Sequence, residues 1–217
     1  MLISDVMTTN VITISSDTPV MEARKIMEFH HIERLPVVDR GKLVGIVTKD
    51  TLLKASPSEA TSLSIWELNY LIARMTVKDI MKKNVVTVVP DCMVELAIAT
   101  AQSNKVGSLV AVEGDKVVGI VTTNDFFYKV LNPLMGIGEE GSRIIVYGAS
   151  EAAQVQKVME GINKTGVRIK AFCTLKSSEG EGKNDIVIHL DTEDASQIIA
   201  QLKSLGLSVD ERIHRPC

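Results

Sequence analysis

Two short turns hold the residues best suited to chemistry. In "VGIVTTNDFF", residues 118–127, Thr122 is followed three positions later by Asp125. In "VGIVTKDTLL", residues 44–53, Thr48 is followed by Asp50 and then Thr51. Each threonine closes a β-branched run and opens a helical pattern. The unpaired N–H groups of a first helical turn, backed by the positive end of the dipole, suit an anion such as phosphate. Asp125, one turn on and on the same face, can accept hydrogen bonds from both hydroxyls of a ribose. Thr-x-x-Asp is equally a capping box that satisfies the helix's own donors with no ligand present. The turn alone does not choose between the two. In the first copy Thr51 fills the acid's slot and Asp50 comes one residue early, rotated about 100° around the helix. Asp50 is therefore not expected to reach the same ribose, and a helix start that favours an acid accounts for it.

The elements that position these turns occur twice. A shift of 74 residues aligns 5–51 with 79–125 without a gap, with identities that include Asp5, Met7, Thr13, Val20, Ala23, Leu35, and the run from Val44 to Thr48. Each copy reads as a β-branched strand ("NVITI", "NVVTV"), a helix, two strands joined by a tight Gly-containing turn, and a closing helix. In copy one, Asp17 or Thr18 can cap the helix, Pro19 lies in its first turn, and Val20, Ala23, Met27 and His30 share a face. Val94, Ala97 and Ala101 repeat that stripe. Neither copy alone can cover both faces of its sheet. Two copies packed on a pseudo-twofold axis can, and this leaves paired clefts between them.

Composition narrows the function classes. The 217 residues are 45% hydrophobic, and 24 Lys and Arg oppose 27 Asp and Glu for a net charge of −3, which disfavours nucleic acid as a partner. The start has no basic segment followed by an apolar one, and no apolar stretch approaches the roughly 18 residues of a membrane span. The expectation is a cytoplasmic protein without membrane attachment. Cys92, Cys173 and Cys217 form no CxxC pair, so neither zinc nor redox chemistry is indicated.

The doubled pattern "DVMT…VIT…D…EA…HIERLPVVD…GKLVGIVT" and "DIMK…VVT…D…GKVVGIVTTND" resembles tandem CBS domains, the pair called a Bateman module, over residues 1 to about 132. The resemblance implies mixed α/β copies of order β-α-β-β-α whose clefts bind AMP, ADP, ATP, S-adenosylmethionine or NAD. It implies that Thr122 and Asp125 contact phosphate or ribose, with Thr48 and Asp50 as the matching, altered turn. It further implies that Arg34 touches phosphate, with Ser108 its neutral counterpart, and that Thr13, Thr87, Ile32 and Val106 flank an adenine. Without the resemblance, Arg34 reads as a solvated cation and the last four as core.

Between the copies, Ser64-x-x-Glu67 precedes an apolar run, so a helix is expected over 64–75, packed on its own module or on a partner subunit. Gly136, Gly138 and Gly141 spell GxGxxG, but a strand follows rather than a helix, so this reads as a hinge between domains. From Arg143 the order is βαββαβ, a ferredoxin-like sandwich. Its strand-two face carries Val167, Ile169, Ala171 and Cys173, with Cys173 expected in the core. This unit resembles an ACT domain, which implies amino-acid binding or subunit pairing; Gly148 and Ser150 could hold a carboxylate. The expected divisions are 1–56, 57–75, 76–132, 133–142 and 143–214. The whole arrangement resembles the acetoin-utilisation regulatory proteins of bacteria. His30, His31, His189 and His214 form no ligand set, and no Ser/His/Asp set, HExxH or P-loop appears, so no catalysis and no metal are expected. The reading is a sensor acting in trans on an unknown effector, as a homodimer or higher homo-oligomer. The alternatives are an oligomerisation scaffold with empty clefts and an amino-acid sensor.

Overall fold

The computed structural model describes residues 1–55, 74–177 and 183–212. The chain divides into two compact units, Met1–Phe126 and Phe127–Cys217. The connector helix expected over 64–75 lies largely outside the described residues, as do His214 and Cys217.

In the first unit, copy one runs α1 (Ile3–Val6), α2 (Val20–His30), β1 (Arg34–Asp39), β2 (Lys42–Thr48) and α3 (Lys49–Ala55). Copy two runs α4 (Val77–Ile80), β3 (Thr87–Val88), α5 (Val94–Ser103), β4 (Ser108–Glu113) and β5 (Lys116–Thr122). Helix α2 buries Val20, Ala23 and Met27, the stripe that 3.6-residue periodicity requires. His30, expected on that face, is exposed. The helix starts without the expected side-chain cap, because Pro19 takes the cap position. Asp17 is drawn instead to Lys78 at 2.9 Å, and the Thr18 carbonyl accepts the Val77 N–H. Both hairpins are antiparallel and carry a bulge at matched places, Val37/Val38 and Ala111/Val112. Arg40 and Gly41, at φ 51 and 79, form a mirror-image turn that suits the strand twist.

The first strand of each copy is shorter than expected. Copy two keeps only β3, parallel to β4, and copy one keeps a single parallel bridge between Ile14 and Val37. In copy one the chain turns away at once, because the Ser16 N–H and the Ser15 hydroxyl donate to Asp39 at 2.9 and 3.1 Å. These bonds, the Ser16 backbone donor foremost, hold the Asp39 carboxyl below its ordinary value.

The leads of the two copies are exchanged. Thr8 bridges Ile120 on β5, and its repeat-mate Lys82 bridges Ile46 on β2; Leu2 pairs with Met93 as Pro19 pairs with Thr76. The short lead helices α1 and α4 were not anticipated. Asp5 and Asp79 stabilise them by accepting the N–H groups of Leu2 and Thr76 at 2.8 and 2.9 Å. Ile3, Val6 and Val77 are almost wholly buried, and Val77 belongs to the core of copy one. Each lead ends in a methionine that fills the space over a glycine. The Met81 thioether lies over Gly45 and Met7 lies over Gly119, so an added Cβ would meet sulfur in both places, at 2.6 Å above Gly45.

The second unit follows the expected order: β6 (Ser142–Val146), α8 (Ala152–Asn163), β7 (Ile169–Lys176), β8 (Asn184–Leu190), α9 (Ser196–Ser204) and β9 (Val209–Glu211). The antiparallel sheet has order β7-β8-β6-β9, a ferredoxin-like arrangement. Ile144, Val146, Ile186, Ile188 and Leu190 pack with Val158, Ile162, Ile198 and Leu202 of the helices. Gly206, at φ 80, ends the last helix. Cys173 is half-buried, its Sγ 3.6 Å from the Met135 sulfur.

The glycine-rich segment is not a free hinge. Gly136, Gly138 and Gly141 all have positive φ. The segment is fastened to the sheet: Arg143 donates to the carbonyls of Met135 and Gly136, Lys170 donates to the Glu140 carbonyl at 2.8 Å, and the buried His189 ring lies 3.2 Å from that same oxygen. Gly148 donates its N–H to Asp185 at 2.8 Å, and Asp185 is 3% exposed.

Two outcomes follow from this packing. Gly119→Val should overpack the Met7 contact and cost about 1–3 kcal/mol, read as a lower urea midpoint, and adding Met7→Ala should recover part of the loss. Asp185→Ala strands the Gly148 N–H and should cost about 1–3 kcal/mol in the same assay.

Candidate ligand-binding clefts

At the end of β5 the Thr122–Asp125 turn forms the capping box in full. The Asp125 carboxylate accepts the Thr122 N–H at 2.8 Å and the Thr122 hydroxyl at 2.7 Å, and the Asp125 N–H donates back to that hydroxyl at 3.4 Å. Both residues are half-buried. The helix they open differs from expectation. It runs as a regular turn only over α6 (Thr123–Asp125), widens to a π-helix over Phe126–Leu131, and ends in α7 (Asn132–Met135). The Thr122 hydroxyl and the Asp125 carboxylate together cap the start of this helical run.

The turn after β2 shows what the displaced acid does. Thr51, in the acid's slot, shares a 2.9 Å hydroxyl–hydroxyl bond with Thr48 and donates its N–H to the Thr48 hydroxyl at 3.2 Å. The cap is thus neutral. Asp50 is exposed and forms a 2.9 Å ion pair with Lys54 one turn along α3.

Between the copies lies a cleft of about 200 Å³. It gathers Arg34, Thr48 and Asp50 from copy one with Val106 and Ser108 from copy two. Arg34 also leans toward the matching turn: a Cβ on Gly107 would stand 2.9 Å from its guanidinium and 3.6 Å from the Thr123 hydroxyl. Glycine at 107 is what leaves the guanidinium that position. Thr122 and Asp125 stand at the positions equivalent to Thr48 and Thr51 in the repeat. Ile32 lines a separate groove of about 390 Å³ between α2 and α3, with Met27 and Leu52. Thr87 is exposed on β3, opposite Val110, and Thr13 is exposed beside Ile14.

Sequence reasoning missed Lys49, Lys82, Asn84 and Lys105, which line the same cleft. The available signal was the repeat itself. Their partners at the 74-residue shift are Thr123, Thr8, Asn10 and His31, so three of the four pairs change charge or polarity. In the second unit Gly148 and Ser150 precede α8 as expected, but the Gly148 N–H is already taken by the chain's own Asp185. Among the described residues, no group of three or more His, Cys, Asp or Glu could hold a metal ion, and no helix is long and apolar enough to cross a membrane.

The CBS domain matches residues 3–58 and 77–132, more than half of the chain. Inosine-5'-monophosphate dehydrogenase of Korarchaeum cryptofilum is 35% identical over 133 residues, 61% of this chain and 25% of that protein. L-aspartate semialdehyde sulfurtransferase of Methanocaldococcus jannaschii is 36% identical over 126 residues, 57% of this chain and 22% of that protein. The chain therefore spans about a quarter of the length of these curated relatives. The crystal structure of a Vibrio cholerae protein ascribed to acetoin utilization (AcuB) superposes with a TM-score of 0.51 at 28% identity, over 61% of this chain and 91% of that one. The matched repeats coincide with the two interlocked copies, and the chain belongs to the CBS-domain family as a tandem pair.

Proposed function

We propose that the CBS pair is a regulatory sensor. It binds an adenosyl ligand, AMP, ADP, ATP, S-adenosylmethionine or NAD, in the clefts between its repeats, and it signals to a separate partner as a homodimer or higher homo-oligomer. The observation that carries this reading is that the walls of the cleft come from both copies, Arg34 and Thr48 from one and Val106 and Ser108 from the other. Any occupant bridges the copies, and a ligand that prefers one packing over another shifts the pair toward it. Asp125 and Thr122, at the repeat-equivalent turn outside this cleft's lining, are the residues assigned to ribose and phosphate. The relatives support a regulatory role, since the matched segment is about a quarter of two proteins with different named activities. A module common to both supplies neither reaction by itself.

The internal capping of Asp125 favours a second reading, a scaffold whose clefts stay empty. An amino-acid site in the second unit has less support, because Asp185 holds the Gly148 donor.

A thermal-shift series with the five adenosyl compounds and the twenty amino acids separates these. A ligand at about 100 times its Kd should add about 2.7 kcal/mol, a shift of a few degrees for a protein of this size. The sensor reading expects a shift with an adenosyl compound that Asp125→Ala abolishes. No shift with any compound would leave the scaffold, and a shift with an amino acid alone would move sensing to the second unit.

A further inference from the structure

The cleft at the Thr48 turn and the residues at the repeat-equivalent positions around Thr122 differ in charge. The cleft at the Thr48 turn is lined by four cations, Arg34, Lys49, Lys82 and Lys105, against two acids, Glu33 and Asp50. At the 74-residue shift Lys49, Lys82 and Lys105 become Thr123, Thr8 and His31, and Asp50 becomes Asn124, whereas Arg34 and Glu33 line this cleft together with their own repeat-mates, Ser108 and Gly107. Both acids are already engaged, Asp50 with Lys54 at 2.9 Å and Glu33 beside Arg34 at 3.8 Å. Among the described residues, Lys49, Lys82 and Lys105 form no ion pair. The ribose-reading acid is missing from this cleft, since Thr51 replaces it.

The backbone places these cations firmly. Lys82 sits on the exchanged lead, its N–H and carbonyl both bonded to Ile46 at 2.9 Å. Lys105 follows α5 with φ 53, a left-handed conformation that a side chain seldom adopts. Three like charges lining one cleft without an ion-pair partner repel one another, and a multivalent anion bound there relieves that repulsion.

From this we infer that the clefts are specialised: the Thr48–Asp50 cleft takes a polyphosphate group and does not read ribose, whereas the Thr122–Asp125 cleft takes the nucleoside. This deepens the sensor reading and rests on the clefts being ligand sites. The polyphosphate is either the tail of a nucleoside triphosphate or a free chain, and the chemistry at the cleft is the same.

The test is calorimetric titration of the full chain with inorganic tripolyphosphate, ATP and adenosine. The variants are Lys82→Met with Lys105→Gly, and separately Asp125→Ala. Glycine suits the left-handed backbone at 105, so the double variant should stay folded, as its thermal melt will report. Tripolyphosphate should bind the wild type and Asp125→Ala alike, bind the double variant at least tenfold more weakly, and weaken as salt is raised. No binding to the wild type, or equal binding to the double variant, overturns the inference. If tripolyphosphate fails while an adenosyl compound binds in an Asp125-dependent way, the sensor reading survives without this cleft. If tripolyphosphate binds and no adenosyl compound does, the anion cleft stands and the nucleotide reading falls. ATP that displaces tripolyphosphate marks a nucleotide tail as the source, and failure to displace it marks a free chain.

Discussion

The first unit depends on an exchange. Each copy sends its lead segment across to close the other copy's sheet, and each lead ends with a methionine over a glycine: Met7 over Gly119 and Met81 over Gly45. Glycine is required because the thioether occupies the volume where a Cβ would stand. The residues beside the Gly45 contact line the cleft. Gly45 and Gly119 lie three residues before Thr48 and Thr122, and the Met81 lead carries Lys82 and Asn84 into the cleft. Packing and site are therefore two faces of one arrangement, and a change in how the leads seat is a change in the shape of the cleft.

This geometry makes a cleft occupant a reporter on the pairing of the copies. Lys82 and Lys105 come from copy two, Arg34 and Lys49 from copy one. A ligand held by both favours whichever spacing lets all its bonds form, and only that difference between packings can produce a signal. The internal caps set the starting point. Asp125 already satisfies Thr122, so a ribose would have to share or displace that carboxylate, whereas the Thr48–Thr51 cap is neutral and offers no charge to Lys49, Lys82 and Lys105.

Much of this was legible in the sequence because periodicity survives the loss of everything else. Val20, Ala23 and Met27 announced a helix face, and Arg40-Gly41 a hairpin turn. The identical run at Val44 to Thr48 announced the repeat. The βαββαβ succession of the second unit followed from strand and helix spacing. What stayed hidden was set by distant partners. Asp17 does not cap its helix because Lys78, far along the chain, claims it. The first strand of copy one shrank because Asp39 gathers the chain at Ser15 and Ser16. The lead helices are single turns, too short for a periodic signal. The cationic wall adds Lys49, Lys82 and Lys105 to Arg34, with Lys82 carried in on an exchanged lead, and the GxGxxG segment is held down by Arg143, Lys170 and His189 from later strands.

The central claim is that an adenosyl ligand bridges the two copies, and hydrogen exchange with and without saturating ATP tests it most directly. The account predicts slowed exchange at amides of both copies, around 48–51 in one and around 82–86, 105–108 and 122–125 in the other. Protection confined to a single copy, or found only in residues 143–212, would contradict it.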